Sequence, residues 1–201
     1  TFIQSDVSIS NQVENLINET INYYGKINIL FNNAGINNHV RGNPDEEEEE
    51  EFDKVISVNL KGAFLCTKFT VPKMIEIGGG SIINNSSVLD AAATHTSSTS
   101  YHMSKGGIAM LTKKTCIAYA KHNIRVNTIQ PGAIATEMSK INWDDLENSG
   151  VISSRKSIQP LHLMGHPYDV GYAALYFASE ESKFVTGSSL LVDGGMSASI
   201  A

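Results

Sequence analysis

Short apolar runs alternating with stretches of helical periodicity constrain this chain more than any other feature of its sequence. The runs are Thr1–Gln4, Ile27–Phe31, Ser81–Asn84, Ile124–Ile129 and Leu190–Val192. Ile27–Phe31 is almost continuously apolar, as expected of a strand covered on both faces of a parallel sheet. Between the runs lie helices. Ser10 is the predicted N-cap of the first, where Val13, Leu16, Ile17, Ile21 and Tyr24 recur at helical spacing and Gly25 closes the segment. The acidic stretch Asp45–Glu51 reads as the solvated start of a long helix, because a helix's first turn favours negative charge. That helix runs to about Ile77, with Pro72 able to bend it, and Gly78, Gly79 and Gly80 end it. A further helix carries Tyr101 and Lys105, and another spans Pro167–Ser179. Segment 136–165, which includes Trp143, is the least regular and reads as a cover over a substrate site.

Such alternation implies a single α/β domain over 1–201, a parallel sheet with helices on both faces. Sheets of this kind bind ligands at the carboxyl ends of their strands. Asp6, the Asn32–Gly35 turn, Ser87 and the Pro131–Gly132 turn all fall at such ends, and Tyr101 opens the helix that follows Ser87. Tyr101 and Lys105 are four residues apart and therefore share a helix face. A phenol normally keeps its proton until about pH 10. An ammonium group beside it favours the phenolate, which makes the tyrosine a usable acid or base near neutrality.

Composition excludes several alternatives. A net charge of −6 with no basic cluster argues against a nucleic-acid partner. No apolar run approaches the roughly 20 residues of a membrane span, and no signal peptide opens the chain. Cys66 and Cys116 lie in helical apolar runs and read as core thiols of a reducing, cytoplasmic compartment. His162 and His166 are flanked by Gly165 and Pro167 and lack a third ligand, so no metal is expected. His95 and His102 flank the tyrosine site and are assigned to the surface.

In its ordered motifs the chain resembles the short-chain dehydrogenase/reductase family. The residues that carry the resemblance are Asp6-Val7, Asn32-Asn33-Ala34-Gly35, Asn59 within Val-Asn-Leu-Lys-Gly, Ser87, Tyr101 with Lys105, Pro131-Gly132 with Thr136, and Val192-Asp193-Gly194-Gly195. The resemblance implies a three-layer Rossmann-like fold and an NAD or NADP cofactor. It also implies catalysis by Asn59, Ser87, Tyr101 and Lys105. Tyr101 would be the acid or base, and Lys105 would depress its pKa and bind the nicotinamide ribose. Ser87, chosen over Ser86, would hold the substrate oxygen. Asn59 would use its main chain to hold a water that links Lys105 to solvent, in a helix that tolerates an irregularity there. Asp6 and Val7 would receive the adenine, with Asn33, Ala34 and Gly35 beneath its ribose. Pro131, Gly132, Ile134 and Thr136 would fix the nicotinamide. The resemblance also implies packing of the long helix and the tyrosine helix against copies in a partner subunit, giving a homotetramer or dimer; positions such as Leu65, Phe69 and Leu111 suit that packing and a monomer core equally.

One departure from the family pattern stands out. Its first β-α-β portion, with the glycine-rich phosphate loop, has no counterpart here, and Gly78–Gly80 precedes a strand, on the wrong side for phosphate. Thr1–Gln4 is then expected to lack a sheet partner, Ile27–Phe31 to form an apolar open edge, and the chain as written to bind dinucleotide poorly. The resulting expectation is an oxidoreductase interconverting a secondary alcohol and a ketone by hydride transfer. A reductase of 3-oxoacyl carriers would use the same chemistry, but no basic docking patch supports it. A non-catalytic relative that binds a ligand or partner is the alternative from another class, against which the retained Ser–Tyr–Lys set argues.

Overall fold

The computed structural model describes residues 1–37, 43–139 and 159–198. Strands β1 (Ile29–Asn32), β2 (Gly80–Asn85), β3 (Ile124–Pro131) and β4 (Ser189–Val192) form one parallel sheet in the order β1-β2-β3-β4. Parallel pairing through helical crossovers satisfies the backbone groups of these short strands. Helix α1 (Ser10–Tyr24) precedes β1 and ends at Gly25, whose φ of 76° lets its N–H reach the Ile21 carbonyl. Ile9, not Ser10, occupies the N-cap and makes no side-chain capping bond. The preceding turn is held by Asp6, whose Oδ1 accepts from the Ser8 backbone N–H (2.8 Å) and hydroxyl (2.7 Å).

The long helix is composite. Helix α2 (Glu49–Val55) passes through a π-helical stretch, Ile56–Lys61, into α3 (Gly62–Glu76). The predicted irregularity therefore exists, and Asn59 sits inside it. Helix α4 (Thr99–Tyr119) carries the tyrosine motif, and α5 (Pro167–Ala178) opens with a capping box between His166 and Asp169.

Strand alternation divides the core in two. Ile82 and Val126 pack with Ile17 of α1 and with Val71 and Met74 of α3. Ile83 and Ile129 pack on the opposite face against Ala173 and Phe177 of α5. A buried polar chain crosses the first face. Asn32 Nδ2 donates to Asn84 Oδ1 (2.8 Å), Asn84 Nδ2 donates to Thr112 Oγ1 (2.8 Å), and the Thr128 hydroxyl donates to Thr112 Oγ1 (2.7 Å). Three strands and α4 are thus held in one register by bonded polar groups rather than by apolar contact alone.

Further expectations change. Thr1–Gln4 is not a strand: it finds no ladder partner among the described residues, and an unpaired ladder has nothing to fix it. Glu47 is not part of a solvated helix start, since α2 begins only at Glu49. Leu65 is buried and Phe69 partly so, both packed inside the subunit, where α3 faces α1. The expected open edge is observed: Ile29 and Phe31 on β1 remain 50% and 38% exposed. Of segment 136–165, residues 140–158, and Trp143 with them, lie outside the described residues.

Candidate active site

Ser87, Tyr101 and Lys105 come together at the carboxyl end of the sheet, all buried. Each is placed by a local device. Ser98 caps α4 by accepting from the Tyr101 N–H (3.2 Å), which fixes the tyrosine in the first turn. Lys105 follows one turn later, and its Nζ lies 5.5 Å from the Tyr101 ring centroid. Ser87 leaves β2 in an extended conformation and caps the short 3-10 turn Val88–Asp90, its Oγ accepting from the Leu89 N–H (3.1 Å). Its side chain also lies close enough to the Tyr101 phenol to favour the phenolate form. Ser86 points elsewhere. Its hydroxyl donates to the Lys105 main-chain carbonyl (3.0 Å) and braces α4 against β2. Adjacent strand residues face opposite ways, so the choice between the two serines has a geometric reason.

The electrostatics correct one expectation. Burial pushes the Tyr101 phenol above its ordinary value, and the interaction with Ser87 only partly offsets this. The Lys105 ammonium donates to the Asn85 main-chain carbonyl (2.8 Å) rather than to the phenol oxygen, and it does not bring the phenol below its ordinary value. Lysine's own proton is loosened. Burial lowers its pKa to about 8, against the opposing charge of Asp90.

Asn59 is buried and bonds through its side chain. Its Oδ1 accepts from the Ile36 N–H (2.8 Å), while its Nδ2 donates to the Ile36 carbonyl (2.9 Å) and to Ser104 Oγ (3.1 Å). The π-helical stretch is thereby fastened to the turn after Asn33-Ala34-Gly35 and to the tyrosine helix. A Cβ at Gly35 would stand 3.5 Å from Asn59 Oδ1, in ordinary van der Waals contact.

A second concavity of about 680 Å³ lies beside Asn59, lined by Asp6, Val7, Ala34, Gly35 and Val58 among others. Four of the predicted cofactor residues thus share one cleft. The Asp6 carboxylate is exposed at its rim and is held below the usual carboxylate range by its bonds from Ser8. Asn33 is tied instead to β2, its Oδ1 accepting from Asn85 Nδ2 (2.7 Å). Pro131 ends β3, and the Gly132 N–H donates to the Val192 carbonyl (3.0 Å). Ile134 bridges to Gly165, and Thr136 forms a closed turn with Ser139. At Gly132 a Cβ would lie 2.8 Å from Asp193 Cα. Gly132→Val should therefore force the ends of β3 and β4 apart and cost about 1–3 kcal/mol, read as a lower urea midpoint.

Several site-supporting residues escaped the sequence. The Ser100 N–H donates to Glu47 Oε2 (3.0 Å), and its hydroxyl donates to the other carboxylate oxygen. One member of the acidic run therefore anchors the turn that carries Tyr101. No spacing rule links residues 53 positions apart. Glu47→Ala should remove about 1–2 kcal/mol of stability, again measurable by urea unfolding, with Glu47→Gln losing less. His102 is likewise structural: its Nδ1 bonds to the Ser98 carbonyl (2.7 Å) and its Nε2 accepts from the Thr94 N–H (3.2 Å).

A parallel sheet with a Ser–Tyr–Lys set at its carboxyl edge and a neighbouring cleft defines a Rossmann-like oxidoreductase architecture. Residues 1–197 match a family model described as enoyl-(acyl carrier protein) reductase. An uncharacterized oxidoreductase of Bacillus subtilis is 41% identical over 196 residues, covering 96% of this chain and 71% of the relative. A mitochondrial borneol dehydrogenase of Lavandula x intermedia is 39% identical over 98% of this chain and 73% of its own. Among solved structures, a gluconate 5-dehydrogenase from Burkholderia cenocepacia, in complex with NADP and tartrate, superposes with a TM-score of 0.88 at 33% identity. That match covers 97% of this chain and 74% of the other. The chain belongs to the short-chain dehydrogenase/reductase family.

Proposed function

We propose that this protein is an NAD- or NADP-dependent oxidoreductase that interconverts a secondary alcohol and a ketone, with Tyr101 as the acid or base. The observation that carries the reading is the shared burial of Ser87, Tyr101 and Lys105 in one cluster, with the serine interacting with the phenol. A structural scaffold has no use for a lysine 6% exposed beneath a capped tyrosine. NADP-bound neighbours, the gluconate 5-dehydrogenase and ElxO, support the cofactor. So does the cleft that gathers Asp6, Val7, Ala34 and Gly35. The Asp6 carboxylate suits an adenine amino donor, and the backbone of Ala34-Gly35 allows a ribose to approach. Pro131, Gly132, Ile134 and Thr136 would line the nicotinamide end.

When bound, the nicotinamide supplies or takes the hydride. The chain's own residues manage position and proton. Ser87 holds the substrate oxygen beside the phenol, and Tyr101 exchanges a proton with that oxygen. Burial keeps Tyr101 protonated at neutral pH, while Lys105 remains an ammonium below about pH 8. Neutral phenol beside ammonium is the proton-delivering state, so ketone reduction should dominate near pH 7 and fall as the pH rises through about 8. Asn59 would connect Lys105 to solvent through a water on the backbone freed by the π-helical stretch. Exposed apolar side chains on α3 and α4, Phe64, Met110 and Ile117, suit packing against a second copy in a dimer or tetramer.

Nicotinamide fluorescence on mixing with NADH and NADPH, followed by consumption of the bound nucleotide on adding secondary ketones, tests the reading. Binding together with turnover supports it. Binding without turnover would favour a non-catalytic relative.

A further inference from the structure

Asp90 ends the turn that Ser87 caps, and three elements hold it in place. Its N–H donates to the Ser87 carbonyl (3.1 Å). Its own carbonyl oxygen lies 3.6 Å from where a Cβ of Gly106 would stand, so the glycine after Lys105 seats the turn on α4. Its carboxylate receives the side chain of Gln130, near the end of β3, with Nε2 at 2.6 and 2.7 Å from the two oxygens. The link joins the Ser87 turn directly to the Pro131–Gly132 turn. The partner's chemistry is informative. An arginine or lysine at position 130 would neutralise the carboxylate, whereas an amide satisfies its lone pairs and leaves its charge in place. Among the described residues Asp90 forms no ion pair.

We propose that Asp90, oriented by Gln130, is a positioning residue that sets the proton affinity of Lys105, the cation one turn from Tyr101, by holding a fixed negative charge near it. The proposal rests on the reading of those two residues as the proton-handling pair. A carboxylate there favours the ammonium form of Lys105 and so raises its proton affinity. Among the described residues, the other groups around the pair are accounted for. On β2 the Asn85 carbonyl is neutral and bound to Lys105; on α4 His102 is engaged with Ser98 and Thr94; Glu47 is engaged with Ser100; and Asn59 and Gln130 carry no charge. The Coulombic influence on Lys105 comes from Asp90.

The test is a direct titration of Lys105 by NMR in protein labelled with ¹³C at lysine Cε, with Lys105→Arg assigning the signal. Asp90→Asn keeps an acceptor for Gln130 and removes the charge, and should lower the Lys105 midpoint by about one pH unit. Gln130→Ala releases the carboxylate toward water and should move the midpoint the same way by less. It also decides the matter if Asp90→Asn does not fold. In the reductase assay the basic limb should shift by the amount seen in the titration, which loss of a merely structural clamp would not produce. Unchanged Lys105 midpoints in the folded variants would overturn the proposal. A shifted midpoint in protein without turnover would leave it standing and count against the enzyme reading instead.

Discussion

Tyr101→Phe should abolish ketone reduction while leaving the fold and nucleotide binding close to wild type. The phenol is buried, interacts with Ser87 and sits under the Ser98 cap, so a phenylalanine fills the same space and leaves α4 capped through its backbone. Only the exchangeable proton is lost. General acid–base catalysis contributes roughly 10²–10⁴-fold, and a loss of that size in kcat is expected. Nicotinamide fluorescence with NADPH or NADH checks binding, a urea midpoint checks folding, and single-turnover reduction checks the proton step. Retained turnover in a folded variant would remove Tyr101 from the mechanism. Loss of folding would instead reassign its role to packing.

The second large effect concerns Lys105 and pH. Unfolded, this lysine holds its proton up to about 10.5; folded, burial lets it go at about 8. Between those values the unfolded chain binds more protons, so stability rises with pH across that window. At about 1.36 kcal/mol per pKa unit the gain is on the order of 3 kcal/mol. Tyr101 works against it above about pH 10, where the unfolded phenol ionises before the buried one. Urea midpoints from pH 7 to 10 should therefore climb in the wild type and stay nearly flat over pH 8–10 in Lys105→Met. The same variant should lose reductase activity by about 10²-fold or more, because the ammonium beside the phenol is gone. Parallel stability curves in the two proteins would mean that the lysine is not held as a buried cation.

Much of the site was legible because it follows chain order. Gly35, Ser87 and Gly132 each follow an apolar run that becomes a strand, and a strand's carboxyl end is where a parallel sheet presents ligands. Tyr101 and Lys105 share a helix face by spacing alone. What escaped depended on contacts between distant segments. Thr1–Gln4 has a strand's composition, yet composition supplies no ladder partner. Glu47 looked like one more solvated carboxylate until the fold set it against Ser100. Asp90 and Gln130 are 40 positions apart and neither belongs to a motif. The proton affinity of Tyr101 was misjudged for the same reason. Spacing brings the two groups near each other, while desolvation and the Asn85 carbonyl decide which form each prefers.

By itself, the sequence determined the order of strands and helices, the face shared by the tyrosine and the lysine, and the turns that close the sheet's carboxyl edge. These depend on local periodicity and on backbone chemistry over a few residues. Tertiary structure decided which serine meets the phenol, that the lysine is a buried and weakened base, and that Asp90 stands beside it under the hold of Gln130. Burial and Coulombic interaction act through space, and their strength is set only when separate segments close around the same few atoms.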